Sequence, residues 1–258
     1  MEGYGCYNGL TYLYAGHIGG TALATASVYD WVFTPDSDAE DSGIKTFTIE
    51  QGQTARAHRA LYGMVNTVDV EFTRAECKVS GDLFAQRISD GISMAASPTV
   101  IDAVPILAGQ LSVYLDDTAA GLGTTKLLRP LEVKVSSATK FEPIWPLNSA
   151  LDSFATHVEK KGVHEIELTL EADGTAGGLY STMRNAATKF LRLEALGGTI
   201  TGTARYTYRA DYAVQVSEMP DMKVLQELQV ATWKFNVVHD DTWGKSQQIT
   251  LRNNLSAL

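Results

Sequence analysis

The sequence predicts a mainly β protein: a two-sheet antiparallel sandwich or barrel with one flanking helix. Three observations predict it. Residues 164–171 alternate strictly, with Ile166, Leu168 and Leu170 on one side and Glu165, Glu167, Thr169 and Glu171 on the other. That is the period of a strand with one buried face. Roughly ten short runs of this kind are separated by clusters of turn formers, the spacing expected of sandwiches and barrels. A single segment shows a convincing helical stripe: Ala176, Leu179, Tyr180, Met183 and Ala187, opposite Thr175, Ser181, Arg184, Asn185 and Thr188.

Residues 1–30, rich in Gly, Ala, Thr and Tyr, are expected to be an irregular arm, leaving 31–258 as one β domain. Strands are expected at Trp31–Phe33 and Lys45–Glu50, around a solvated acidic loop at 36–43. A second ribbon follows, with Val68, Val70 and Phe72 on one face and Asp69, Glu71 and Thr73 on the other. Runs at 76–80 and 83–88 continue the pattern. Gln110–Leu115 and Leu127–Val135 are expected to form a hairpin. Its long tip, which includes Asp116, Asp117, Gly121, Leu122 and Gly123, is expected to be flexible. Residues 141–160, with Pro143 and Pro146, are expected to be irregular, with a short helix starting near Ser149. Asp173 is placed to cap the helix at 176–187. Strand 189–196 should end in a turn at Gly197-Gly198. The long run Thr203–Ser217 carries Tyr206, Tyr208, Ala210, Tyr212, Val214 and Val216 on one face. Met219-Pro220-Asp221 breaks it. The runs 226–239 and 247–252 close the domain.

Composition narrows the function. With 258 residues and 45% hydrophobic content the chain can bury a sizeable core. Lys and Arg number 21 against 30 Asp and Glu, for a net charge of −9. Lasting attachment to DNA or anionic lipid needs the opposite sign. The two cysteines, Cys6 and Cys77, are too few for a disulfide scaffold and suit a reducing compartment. The first residues lack the basic start and apolar run of a secretory signal. No apolar stretch approaches the ~20 residues that span a bilayer.

Catalytic patterns are weak. His157/His164 and His239-Asp240-Asp241 are the only His-rich neighbourhoods, and neither has the tight spacing of a zinc site. The 240–244 segment is better explained as a hairpin connection, with Asp and Gly as its turn residues. There is no nucleophile elbow, HExxH or phosphate-binding loop. The carboxylates lie in rows on strand faces, which does not split them into the unlike acid and base of a glycosidase. Cys77 is expected to be an inert core residue. The tyrosines of 206–212 are expected to pack one strand face with their phenol tips reaching water. No cofactor or metal is expected. Glu165, Glu167 and Glu171 on one face should repel one another.

The order of these segments resembles the major tail-tube proteins of long-tailed, siphovirus-like bacteriophages. The resemblance rests on Trp31-Val32-Phe33-Thr34-Pro35, Lys45–Gly52 and Val68–Val79. A later block adds Ile166–Glu171, the helix around Leu179–Ala187, and Phe190–Ala195. The ending supplies Trp233–Val238, Asp240–Lys245 and Ile249–Asn253. It covers residue 30 to the C-terminus and is one of pattern and order, not of a short diagnostic motif. It implies a β-sandwich with a side helix. Six copies form a ring, and stacked rings form a tube that conducts DNA and is built around a tape-measure protein with terminator and tip proteins at its ends. The implied location is the virion, after assembly in the host cytoplasm. Asp69, Glu71, Glu165, Glu167 and Glu171 are then candidates for the lumen, where negative charge lets DNA slide without sticking. The 116–125 loop and the N-terminal arm are candidates for ring-to-ring contacts. Closing sheets between subunits would also remove exposed strand edges. The competing classes are a monomeric carbohydrate-binding or adhesion module using Tyr206, Tyr208 and Tyr212, an enzyme such as a glycosidase, and a bacterial secretion-tube protein of related fold.

Overall fold

The computed structural model describes residues 1–25, 27–35, 43–53, 56–148, 150–160, 162–218, 220, 222–225 and 227–258. Most of the acidic loop, Ser149, Met219 and Asp221 lie outside these. In chain order, β1 (Glu2–Tyr4) and α1 (Tyr7–His17) precede β2 (Thr21–Thr25), β3 (Val28–Phe33), β4 (Phe47–Gln53) and β5 (Arg56–Val65). Then come β6 (Asp69–Phe72), β7 (Cys77–Ser80), β8 (Leu83–Phe84), β9 (Arg87–Asp90), β10 (Leu111–Asp116) and β11 (Pro130–Ser136). They are followed by β12 (Phe141–Ile144), β13 (Thr156–Glu159), β14 (Glu165–Glu171) and α2 (Gly174–Arg184). The chain ends with β15 (Lys189–Thr201), β16 (Ala204–Glu218), β17 (Met222–Leu225), β18 (Leu228–Val237) and β19 (Gln247–Asn253). The protein is therefore mainly β, and every strand pair among the described residues is antiparallel. No helix among the described residues is long and apolar enough to cross a membrane.

Thirteen strands share one hydrogen-bonded sheet, in the order β1-β7-β6-β11-β14-β18-β16-β19-β3-β2. Strand β15 lies on the other edge of β16, β10 on β15, and β17 on β18. The 15-residue β16 joins the two halves. Thr207–Tyr212 pair with β19, and Val214–Glu218 pair with β18. Alternating apolar residues from both halves converge on one core, in which Phe72 lies 5.7 Å from Tyr208 and Tyr180 of α2 lies edge-on to Trp233 at 4.9 Å. Two smaller sheets, β4-β5-β8 with β9 and β12-β13, stand apart.

Five expectations are corrected. The first thirty residues are not an irregular arm. Tyr7, Leu10 and Tyr14 fall at helical spacing and are buried in the common core. Asn253 Nδ2 donates to Tyr7 O and Thr11 Oγ1, tying α1 to β19. Gly16 is needed there, because a Cβ would meet the Phe47 ring at 2.6 Å and Val65 at 2.7 Å. Residues 141–160 are not irregular: β12 and β13 pair over four positions, and Phe154 is buried between the rings of Phe84, Trp145 and Tyr62. The expected hairpin at 110–135 exists only as a Tyr114–Lys126 bridge. Beyond it the two strands part, β10 to β15 and β11 to β14 and β6. Gly197-Gly198 does not end its strand; β15 runs on through a register shift to Thr201, and the turn falls at Gly202, where φ is +55°. The 240–244 turn joins β18 to β19, which do not pair with each other but lie in succession along β16.

Candidate functional site

The acidic strand faces fall where the alternation puts them. Ile166 and Leu168 are fully buried, while Glu165 is exposed and Glu167 and Glu171 are half-buried. The middle carboxylate of β14, Glu167, has a lysine across from it on each neighbouring strand, which offsets the repulsion along β14. One transverse row runs Lys78, Glu71, Lys134, Glu167, Lys234 and Glu218, from β7 through β6, β11, β14 and β18 to β16. Its signs alternate at every step. Lys234 meets Glu218 at 3.1 Å, and Lys78 also reaches Glu2 at 2.6 Å. Opposite charges directly across a strand pair stabilise, and like charges destabilise, by a few tenths to about 1 kcal/mol each. The remaining acids serve separately. Asp69 accepts from Ser137 N at 3.0 Å, Glu171 meets Arg129 at 2.7 Å, and Glu165 sits across from Ser136 and Asn236.

The row is directly testable. Lys134→Glu would set three carboxylates side by side with Glu71 and Glu167. We expect a loss of about 1–2 kcal/mol in urea denaturation at low salt. The loss should shrink in molar salt, where screening acts within about 3 Å. A variant as stable as the parent at low salt would remove the ladder from the account.

The 116–125 loop is also more ordered than expected. Asp116 is 5% exposed, and its carboxylate accepts from the backbone N–H groups of Gly123, Thr124 and Thr125 at 2.9, 3.3 and 2.8 Å. Gly121 N donates to Thr118, Leu122 N to Ala119 O, and Asp117 pairs with Lys189. Gly123 has φ +89°, and a Cβ there would press on Arg192 Nη1 at 2.6 Å. A carboxylate that gathers three amides closes the loop on itself. Asp116→Ala should therefore cost about 2–3 kcal/mol, since it strands three donors. Thermal unfolding measures this; a shift within error would show that water replaces the carboxylate at no cost.

Tyr208 and Tyr212 are fully buried and Tyr206 nearly so. Their tips do not reach water: Tyr208 Oη lies 3.4 Å from Tyr14 Oη, and Tyr212 Oη is buried without a partner. Burial pushes the Cys77 thiol up to about 12, which keeps it protonated, and Cys6 and Cys77 are both free thiols. His157 packs against Phe141 and Tyr62, far from any ligand-like arrangement with His164. No group of three or more His, Cys, Asp or Glu among the described residues is arranged to hold a metal ion.

His164 instead meets a residue that the sequence reading did not single out. His17, at the end of α1, lies edge-on to it with ring centroids 6.0 Å apart. Both line a cavity of about 730 Å³ with His239, Lys140, Lys245 and Gln247. The Val65 carbonyl, 3.2 Å from His17 Nδ1, can only accept, so Nδ1 carries the proton and Nε2 keeps a lone pair. Gln247 Nε2 faces His164 Nε2 at 3.5 Å, which makes that nitrogen an acceptor too. Burial holds both rings neutral: His17 falls from 6.5 to about 3 and His164 to about 4, with the Lys140 ammonium adding to the effect. The helical spacing of Tyr7, Leu10, Tyr14 and Ile18 was the signal that could have brought His17 into view.

No protein-family model matches the chain, and no curated protein sequence matches it.

Proposed function

We propose that this protein is a non-enzymatic structural subunit of a bacteriophage tail tube. In this reading its thirteen-stranded sheet folds into a two-layered sandwich, six copies close into a ring, and stacked rings conduct DNA through a central channel in the virion. The order of segments that resembles tail-tube proteins supports it. The structural observation that carries it is the open edges of the large sheet. Among the described residues, strand β2 pairs only with β3 and β1 only with β7, at the two ends of the strand order. Leu23 on β2 is 63% exposed. Unpaired edges invite association with another chain, and pairing between copies would satisfy them. The charge row alters one part of the proposal. Because Glu71 and Glu167 are balanced by lysines, any lumenal negative potential would come from Glu165 and from the net charge of −9, not from an unrelieved acidic strip.

The carbohydrate-binding alternative in the form that used Tyr206, Tyr208 and Tyr212 loses its platform, since those rings are in the core. A secretion-tube protein would share the ring and the same edges. Electron microscopy of the purified protein by negative stain tests the proposal: rings or tubes with a central hole are expected. A chain that stays monomeric at high concentration, with tape-measure and tail-end proteins present, would overturn it.

A further inference from the structure

After β9 the chain makes one long exposed excursion. No helix or strand lies between Asp90 and Ala108. Every residue from Ser93 to Ala103 is exposed, and the β-branched Val100 is 89% exposed. Among the described residues, no hydrogen bond reaches the six residues Ala96 to Ile101. The excursion is pinned at both ends. Ile92 N donates to Ala57 O at 3.3 Å, and Ala95 N to Glu50 Oε2 at 3.0 Å. On the far side Tyr7 N donates to Val104 O at 3.0 Å, and Ile106 N to Gly5 O at 2.9 Å. A run of this length without secondary structure is uncommon in a compact domain and is usually functional. The loop after β12 differs. Leu147 is fully exposed there too, but Asn148 N donates to Pro146 O, Ala150 N to Asn148 Oδ1 and Leu151 N to Asn148 O, which closes it into a turn.

An endoprotease takes its substrate as an extended strand. It pairs with free backbone groups on both sides of the bond it cuts and reads side chains in pockets. Ala96 to Ile101 offers free backbone and exposed apolar side chains together, and exposed segments of this kind are preferred sites of nicking. We propose that this segment is a processing site, cut on the amino side of Val100 by an endoprotease selective for bulky aliphatic residues. No Lys or Arg occurs between Gly91 and Thr125, so a protease that requires a basic residue finds no bond here. The step is a hydrolysis. The C–N bond between Thr99 and Val100 breaks, the hydroxyl of one water goes to the Thr99 carbonyl carbon, and its remaining hydrogen goes to the Val100 nitrogen. Cutting does not divide the fold. Strand β6 pairs with β11 and β3 with β19, and Asn253 bonds α1, so each contact joins a residue before the cut to one after it. Both parts also contribute to the common core.

The test is limited digestion of the purified full chain with thermolysin, which cuts on the amino side of bulky aliphatic residues, with the first products mapped by intact mass. One early cut is expected, giving residues 1–99 and 100–258. The two fragments should elute together on gel filtration and separate only in denaturant. The rate should not change with urea below the unfolding transition, because the segment is already open. Cutting that waits on unfolding would instead follow the population of opened molecules and rise with urea. The double variant Val100→Asp with Ile101→Asp should slow the cut at least about tenfold, since a pocket for aliphatic side chains rejects a carboxylate. Should that variant fail to fold, the cut position and the urea dependence of the parent still decide. A first cut outside Ala96 to Ile101, a rate that rises with urea, or fragments that part in native buffer overturns the proposal. It does not rest on the tube reading, and ring formation is observed separately by microscopy, so either can fail alone.

Discussion

Arg192→Met is expected to lower stability by about 3–5 kcal/mol, the usual cost of leaving a buried charge without its partner. The guanidinium donates to both carboxylate oxygens of Asp211, at 2.6 and 2.9 Å, from directly across the β15–β16 ladder. The Asp211 side chain is 7% exposed and that of Arg192 is 19% exposed. Neither exposure lets water replace the lost partner well. The bidentate geometry makes lysine a poor substitute. A second effect follows from position. Gly123 packs beside Nη1 of Arg192, so the loop closed by Asp116 rests on this side chain. In Arg192→Met the amides of Gly123, Thr124 and Thr125 should exchange with deuterium faster than in the parent. The double variant Arg192→Met with Asp211→Leu should recover much of the loss, since a well-packed apolar pair of similar volume can equal a buried ion pair. A single variant within 1 kcal/mol of the parent in urea, a margin near the value of an exposed pair, would mean the pair is solvated and this account is wrong.

Acid should destabilise the protein well above the range where carboxylates titrate. His17 and His164 are neutral in the folded state, with pKa values near 3 and near 4, and protonate near 6.5 once unfolded. Between these limits the unfolded chain binds more protons, so stability rises with pH. Their contribution is complete above about pH 6.5 and falls away as the pH drops toward 4 and then 3. At about 1.4 kcal/mol per unit, the pair accounts for a loss on the order of 5 kcal/mol by pH 4. Among the described residues, the titratable groups lining the cavity beside the pair are Lys140, Lys160, Lys245, His239 and Glu159. The Lys140 ammonium opposes a proton added to either ring. Unfolding free energies at a series of pH values measure the slope. The double variant His17→Gln with His164→Gln should flatten it between pH 6.5 and 4, and an unchanged slope would assign acid sensitivity to other groups.

Both predictions depend on residues that sequence patterns treat unevenly. Alternation identified β14 and β16 nearly to the residue, because one-face burial imposes period two on a strand whatever it pairs with. The stripe at 176–187 marked α2, although the helix ends at Arg184, and Ala186 sits at φ +46°. The same logic missed α1. Its polar Asn8, Thr11 and His17 are themselves buried, so the amphipathic contrast that signals a surface helix is absent. Asp116 and Asp211 illustrate a further limit. One was read as a loop-tip charge and the other passed unnoticed within a strand, yet both are about 5% exposed.

The sequence by itself determined the antiparallel β class, the apolar faces of the ribbons and the sign of the net charge. These follow from side-chain chemistry and local period alone. The tertiary structure decided which strands are neighbours, and strand pairing brings together residues more than a hundred positions apart. Pairing turned an acidic strip into a row of alternating charge, since Lys134 and Lys234 stand across from Glu167 on the strands to either side of it. It also set His17 against His164, 147 residues apart in the chain, in a cavity lined by lysines from other segments. Electrostatics depends on distance in space, and sequence period carries no information about that.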